Sequence, residues 1–319
     1  MAVNNQKITD KFAIYHGDSV EVMETLPKNS IDLSIYSPPF ADLYAYSSNE
    51  RDLSNCVNYD EFLSHYEFIV KELSRTTKDG RLSCVHCMDL CNKTGGLNDF
   101  PGDIIKSYQR NGFTYHARYV IWKEPLRMAL KTRAIGLRHA QIVKDSSRCD
   151  NAGADFLLVF RKKGRNKKPI KHVKGFTEYF GEINDIERIR NGYAPIPKSL
   201  DKYREGWDNP KTNKWSHWIW QHYASSVWYD IRIKHCLEYD KIKDKDNEKH
   251  ICPLQLDVIN RCMAMWSNPG DNVLTPFMGV GSEVCGAIAN GRRGLGIELK
   301  DTYYKQAVKN AIKFSRKYL

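Results

Sequence analysis

Short apolar, β-branched-rich runs alternate with helical patterns at both ends of this 319-residue chain. Few architectures satisfy that alternation. Strands separated by amphipathic helices lie side by side in a parallel sheet, with the helices covering its faces. The runs at 12–16, 31–36, 81–86, 115–122, 155–161, 272–275 and 294–298 read as seven strands of an α/β domain. Between the second and third, Phe62, Tyr66, Ile69, Val70 and Leu73 recur at helical spacing. A crossover helix is therefore expected over 59–74, with Gly80 as its stop. Segments 253–265 and 301–314 carry the same helical pattern beside the last two strands.

The middle of the chain breaks the rhythm. Residues 162–227 are basic, interrupted by Gly and Pro, and dense in aromatics, so they read as an insert between two halves, 1–161 and 228–319. Charge follows the same division. The whole chain holds 49 Lys+Arg against 38 Asp+Glu, a formal +11, yet residues 1–90 are net acidic and the excess is concentrated in 91–230. The densest run, 161–174, includes Arg161, Lys162, Lys163, Arg165, Lys167 and Lys168 without an apolar period. Such a loop suits a polyanion or simply a solvated surface. A second basic group, Arg127, Lys131, Arg133 and Arg138, falls on a helix-prone segment suited to phosphates. Trp215, Trp218 and Trp220 read first as a small core for the insert and second as stacking surfaces for bases. The run 241–249 is a mixed-charge loop.

Composition excludes several classes. With 41% hydrophobic and 27% charged residues the chain can bury a core without disulfides or metal staples, so disorder and minimal scaffolds are excluded. No run approaches the roughly 18 apolar residues of a membrane span, and the first residues lack the apolar core of a secretory signal, so a cytoplasmic protein is expected. Nine cysteines fit a reducing compartment. Cys84, Cys87 and Cys91 have zinc-like spacing but no second ligand pair at a usual distance, so they read as core and no metal is assigned.

Two stretches carry chemistry. In Asp32-Leu-Ser-Ile-Tyr-Ser-Pro-Pro-Phe40 an apolar strand runs into a stiff turn. Proline fixes φ and removes donors, so this corner presents the Ser37 hydroxyl and backbone carbonyls, with Pro38, Pro39 and Phe40 beside them, as preset acceptors for an amino group. It also reads as an ordinary proline-rich turn. In Asn272-Val-Leu-Thr-Pro-Phe-Met-Gly-Val-Gly-Ser-Glu283 a strand enters a glycine turn and then a helix, and Glu298 ends the next strand. Glycines let the backbone approach a ligand closely, and an acid on the second strand suits ribose hydroxyls. A nucleoside cofactor is indicated; the missing third glycine argues against nicotinamide or flavin.

Together these stretches resemble the S-adenosyl-L-methionine-dependent amino-methyltransferases of DNA, which modify adenine N6 or cytosine N4. Ser37-Pro-Pro-Phe40 looks like their catalytic motif and Thr275-Pro-Phe-Met-Gly-Val-Gly-Ser282 like their cofactor motif. His250-Ile-Cys-Pro-Leu-Gln255 resembles the segment that packs on the methionine moiety, and Tyr15-His-Gly-Asp18 completes the pattern. With the catalytic motif first, the cofactor motif last and a basic insert between, the order resembles that of the β group. The resemblance implies a Rossmann-like, seven-stranded, mostly parallel sheet and an insert that recognises the DNA target. It implies double-stranded DNA as partner, leaving a homodimer open. It assigns Glu298 to the ribose, Asp18 to the adenine amino group, and Phe277, Gly279, Gly281 and Ser282 to the glycine turn, with Pro253 and Thr275 near the methionine end. Asp18 also reads as a plain turn residue after a strand.

The chain departs from that pattern at Thr275, where the family usually has Asp, so the carboxylate expected near the methionine ammonium is missing. Ser37 by itself favours cytosine N4, whereas the extended run from Ser37 to Ser47 resembles prophage-borne methylases assigned to adenine. Adenine N6 is the leading expectation and cytosine N4 the alternative. A non-catalytic nucleic-acid binder that has kept the fold, and a protein or RNA methylase, complete the set.

Overall fold

The structure, a computed structural model, describes residues 3–39, 53–91, 96–132, 136–182, 213–237 and 253–318. Among these, nine strands form one sheet ordered β1-β2-β11-β10-β3-β4-β8-β7-β9. They are β1 (Asn5–Ile8), β2 (Phe12–His16), β3 (Ile31–Tyr36), β4 (Thr77–Cys87), β7 (Phe113–Ile121), β8 (Asp155–Lys162), β9 (Val227–Trp228), β10 (Asn272–Thr275) and β11 (Arg293–Glu298). β5 (Leu90–Cys91) and β6 (Leu97–Asn98) make a separate two-stranded piece. Pairing is parallel from β2 to β4 and antiparallel where β8 joins β4 and β7.

All seven expected strands are present, but the sheet is wider than seven. β1 is an exposed, mostly polar edge strand without alternating burial, and β9 has two residues, so neither carries a period that marks a strand. β9 also draws the end of the 162–227 segment into the main sheet, beside β7.

Nine described helices are α1 (Ser19–Thr25), α2 (Tyr59–Thr76), α3 (Phe100–Arg110), α4 (Pro125–Thr132), α5 (His139–Asp145), α6 (Lys214–Tyr223), α7 (Leu256–Trp266), α8 (Ser282–Ala289) and α9 (Asp301–Lys317). None is long and apolar enough to cross a membrane. The two-residue period of β3 divides the core: Tyr36 joins Val22, Phe62, Tyr66, Ile104 and Tyr108 from α1–α3 on one face. Leu33 and Ile35 join Val258, Ile259, Cys262 and Met263 of α7 on the other. Cys84 and Cys87 are buried in this core, and burial pushes both thiols up.

Gly80 does not stop α2, which ends at Thr76; it lies inside β4 at φ +71°. A Cβ there would stand 2.4 Å from the backbone nitrogen of Asn166, so the residue is glycine because the segment after β8 crosses against it. At this amino-terminal edge Arg81, 1% exposed, donates to the carboxylate of Asp271 and to the carbonyls of Asp32 and Lys168. Lys168 pairs with Asp271 and Lys78 with Asp32, tying β3, β4 and β10 to the start of the basic run.

Candidate active site

β2, β11, β10 and β3 are parallel neighbours, so their carboxyl ends share one edge. Along that edge come Asp18, Glu298, Thr275 and Ser37 in turn, and β4 adds His86. β10 leads through α8 to β11 on one side, while β3 leads through α2 to β4 on the other. Parallel α/β sheets open a ligand crevice at such a reversal, outside the strand ends. By that rule its place in this sheet is between the Ser37 corner and the glycine loop. Tyr36 meets Phe277 with ring centroids 5.8 Å apart, so the two motifs touch directly.

The proline corner stands on a buried hydroxyl chain. The Tyr36 hydroxyl is hydrogen-bonded to those of Tyr66 (2.6 Å) and Tyr108 (2.7 Å), and Tyr108 is bonded to Ser83, which accepts from Ser34. Burial raises all three tyrosines well above the usual range, so they stay neutral and hold the strand end in place. Ser37 and Pro39 are half-buried and Pro38 is buried. Phe40 lies outside the described residues.

On the other side, Gly279 and Gly281 have φ of +53° and +92°, a backbone that L side chains rarely adopt. A Cβ on Gly279 would meet nothing within 4 Å, so the loop leaves space there, whereas one on Gly281 would press on Ala307 at 3.2 Å. Glu298 braces this loop, accepting from Gly279 N–H (2.8 Å) through one oxygen and from Lys300 N–H (2.9 Å) through the other. The Ser19 hydroxyl donates to the Pro276 carbonyl. Asp18 caps α1, one carboxylate oxygen accepting from Val20 and Glu21 N–H. The turn-residue reading thus describes its contacts within the chain. Thr275, 1% exposed, and Ser282 each bury a hydroxyl with no protein partner among the described residues, as does the side-chain oxygen of Gln255, next to Pro253 at the start of α7. Unsatisfied oxygens around an open glycine loop fit a polar nucleoside cofactor better than a sealed core.

A DNA methylase family model for N6 and N4 enzymes matches residues 31–309, most of the chain. The chain belongs to the N6/N4 DNA methylase family. As a DNA methylase it uses S-adenosyl-L-methionine. It is 24% identical over 304 residues to the DNA adenine methyltransferase YhdJ of Escherichia coli, spanning 93% of this chain and 81% of that protein. Type II methyltransferase M1.MboII of Moraxella bovis is 22% identical, with 92% and 94% covered. Two solved structures share the fold. TTHA0409 from Thermus thermophilus, complexed with S-adenosyl-L-methionine, has a TM-score of 0.57 and 20% identity, with 96% and 95% of the chains covered. The cytosine-N4-specific PvuII DNA methyltransferase has a TM-score of 0.57 and 14% identity, with 99% and 95% covered.

The basic residues of this methylase divide between opposite poles. β7 ends at the Ser37 edge, so α4 and α5 follow on that side, with Arg127 and Arg138 exposed. Arg133 and the Lys131 side chain lie outside the described residues, as does the run 241–249. β8 runs antiparallel to β4 and delivers Arg161 and Lys162 to the other edge. There Arg161 donates to Gly80, Lys162 to the carbonyls of Ser74 and Thr77, and Lys168 to Asp271. Lys163, Arg165 and Lys167 are exposed beside them. The structure therefore does not bring the run 161–168 to the Ser37 edge, and part of its charge is engaged inside the chain. Trp215 and Trp218 stack at 5.1 Å and pack with Phe176, Tyr179 and Phe180, so they are insert core; Trp220 is 58% exposed instead.

Two groups escaped the sequence reading. His86 faces Asp155 at 3.4 Å and Lys123 pairs with the same carboxylate at 2.5 Å, next to the Ser37 corner in the sheet order. Burial pushes the Asp155 carboxyl up, but His86 and Lys123 together bring it below its ordinary value. Glu283, directly after the glycine motif, is 5% exposed, and burial raises its carboxyl to about 8. An acid following Gly-x-Gly-Ser was visible in the sequence, but its burial was not.

Proposed function

We propose that this methylase transfers a methyl group to the exocyclic N6 of adenine in double-stranded DNA, acting on a base rotated out of the duplex. The contact of the Tyr36–Ser37 corner with the Phe277 loop carries the reading, because an acceptor amine and a methyl donor must meet within one cavity. The amino nitrogen is a poor nucleophile while its lone pair is delocalised into the ring, and pairing engages its protons inside a duplex. Flipping costs a few kcal/mol, which stacking on Phe40 offsets. Ser37 Oγ and the Pro38 carbonyl accept hydrogen bonds from the two amino N–H groups, turning the nitrogen lone pair toward the methyl. As the N–CH3 bond forms the S–CH3 bond breaks, the thioether leaves, and one amino proton is lost to water. Glu298, Asp18, Pro253, Thr275, Phe277, Gly279, Gly281 and Ser282 would hold S-adenosyl-L-methionine, which would supply an electrophilic methyl on a sulfonium. Orientation and preorganised acceptors provide the acceleration without a covalent enzyme intermediate.

Adenine is favoured by the extended Ser37–Ser47 resemblance and by a relative named as an adenine enzyme over 93% of this chain. Cytosine N4 is the second reading, favoured by serine at position 37. Nucleoside digestion of methylated DNA followed by mass spectrometry is expected to show N6-methyladenine. Detection of N4-methylcytosine alone would replace adenine with cytosine.

Residues 162–227, apart from the run up to Lys168 at the opposite edge, are proposed to form the target-recognition region. Phosphate binding is assigned to Arg127 and Arg138, which lie beyond the catalytic edge. Replacing both with alanine should weaken binding to all sequences and reduce the salt slope of log K by roughly two, at about 0.9 for each phosphate no longer neutralised. Lys168→Ala should leave that slope unchanged. A double variant with the parental slope would remove α4 and α5 from the interface.

A further inference from the structure

We propose that Glu283 is the anionic partner of the amino-acid end of S-adenosyl-L-methionine, pairing with its α-ammonium where α7, α8 and the end of β10 meet. The inference rests on the cofactor reading of the glycine loop and adds to it a residue outside the glycine motif.

Glu283 is the second residue of α8, which begins immediately after Gly281. α7 runs beside α8: Leu256 packs with Val280 and Cys285, and Gly286 lies against Ile259. Gln255, capping α7, therefore shares this pole with Ser282 and Glu283, and Thr275 ends the strand that feeds the loop. Gln255 Oε1, Thr275 Oγ1 and Ser282 Oγ are buried without a partner among the described residues, and each of these residues is more than nine-tenths buried. Each of these oxygens, and the buried Glu283 carboxyl, is costly to leave unpaired unless something binds it.

Among the described residues, four cations of the adjoining elements are committed elsewhere. Arg232 and His235 are taken by Asp257, Arg261 by Asp230, and Lys305 by Asp301. Glu298 accepts from the backbone of Gly279 and Lys300, and burial keeps the neighbouring Cys285 thiol neutral. The Glu283 carboxyl interacts with its own backbone N–H, which opposes but does not outweigh the effect of burial. Among the described residues no cation offsets the burial of Glu283. An ammonium carries three N–H donors and one charge. Thr275 contributes a hydroxyl but no charge at this end of the pocket; Glu283 supplies the charge.

Pairing requires the carboxyl, neutral up to about pH 8 when buried, to ionise as the ammonium arrives. Titration calorimetry of the unaltered chain with S-adenosyl-L-methionine at pH 7, in buffers of different ionisation enthalpy, should show release of about one proton. Glu283→Gln should release none. The variant should bind S-adenosyl-L-methionine and S-adenosylhomocysteine about tenfold or more weakly, the loss expected for one charged hydrogen bond. Its affinity for 5′-methylthioadenosine, which lacks the amino-acid end, should not change. Thermal unfolding provides the folding control. A carboxyl titrating at about 8 when folded and 4.5 when unfolded makes the parent lose stability as pH rises between those values. The glutamine variant lacks that loss and should match or exceed the parent at pH 9. Equal weakening toward all three ligands, unchanged S-adenosyl-L-methionine affinity, or absence of proton release overturns the role of Glu283 alone. Failure of the unaltered chain to bind any of the three overturns the cofactor site with it.

Discussion

Ser37→Ala is expected to lower the single-turnover rate of methyl transfer by about 10²- to 10³-fold, the usual cost of removing one preorganised hydrogen-bonding group from a transition state. Cofactor and DNA affinity should stay within about twofold, because the hydroxyl acts on the amino group only as the nitrogen develops its lone pair. The variant should also keep the parental unfolding midpoint, since Ser37 is half-buried and the tyrosine chain beneath it is untouched. Ser37→Asn, which retains an oxygen acceptor, should recover part of the rate. Quench-flow measurement with preformed ternary complex separates this from binding. An unchanged rate in the alanine variant would mean that backbone carbonyls alone orient the amine, and the serine would lose its role.

Arg81→Met should destabilise the fold by about 3–5 kcal/mol, the range for breaking a buried charge pair from one side. Methionine fills much of the volume but leaves Asp271, buried among Arg81, Lys168 and Asn268, without its principal cation. Burial pushes the Asp271 carboxyl up; the Asn268 N–H, Arg81 and Lys168 outweigh this and hold it below the ordinary value. A depressed carboxyl contributes stability above its unfolded value near pH 4 and loses it as pH falls through the folded value. Acidification should therefore cost the methionine variant less than the parent. Urea unfolding between pH 3 and 7 reads both effects. A loss below about 1 kcal/mol would place the pair in the weak, solvent-screened class.

Strand positions were legible because the period of two and the β-branched runs are local properties, and all seven expected strands formed. β1 escaped because an exposed edge strand needs no apolar face. Gly80 misled for a related reason: a glycine after a helical pattern reads as a stop, whereas here it admits the backbone of Asn166. Helical spacing puts Trp215 and Trp218 on one face of α6 and Trp220 well off it, and the packing of Phe176, Tyr179 and Phe180 on that face is what leaves Trp220 to solvent.

The amino-acid sequence alone determined the two corners of the site: prolines fix φ at 38 and 39, and glycines at 279 and 281 supply the left-handed turns, all through covalent geometry. Tertiary structure decided what those corners face. Parallel pairing of β10 with β3 joins them, and antiparallel pairing of β8 sends the basic run to the opposite pole. The burial of Glu283, on the helix that packs against α7, is also a tertiary outcome. Strand direction and burial are set by contacts between segments distant along the chain, so no local pattern of residues encodes them.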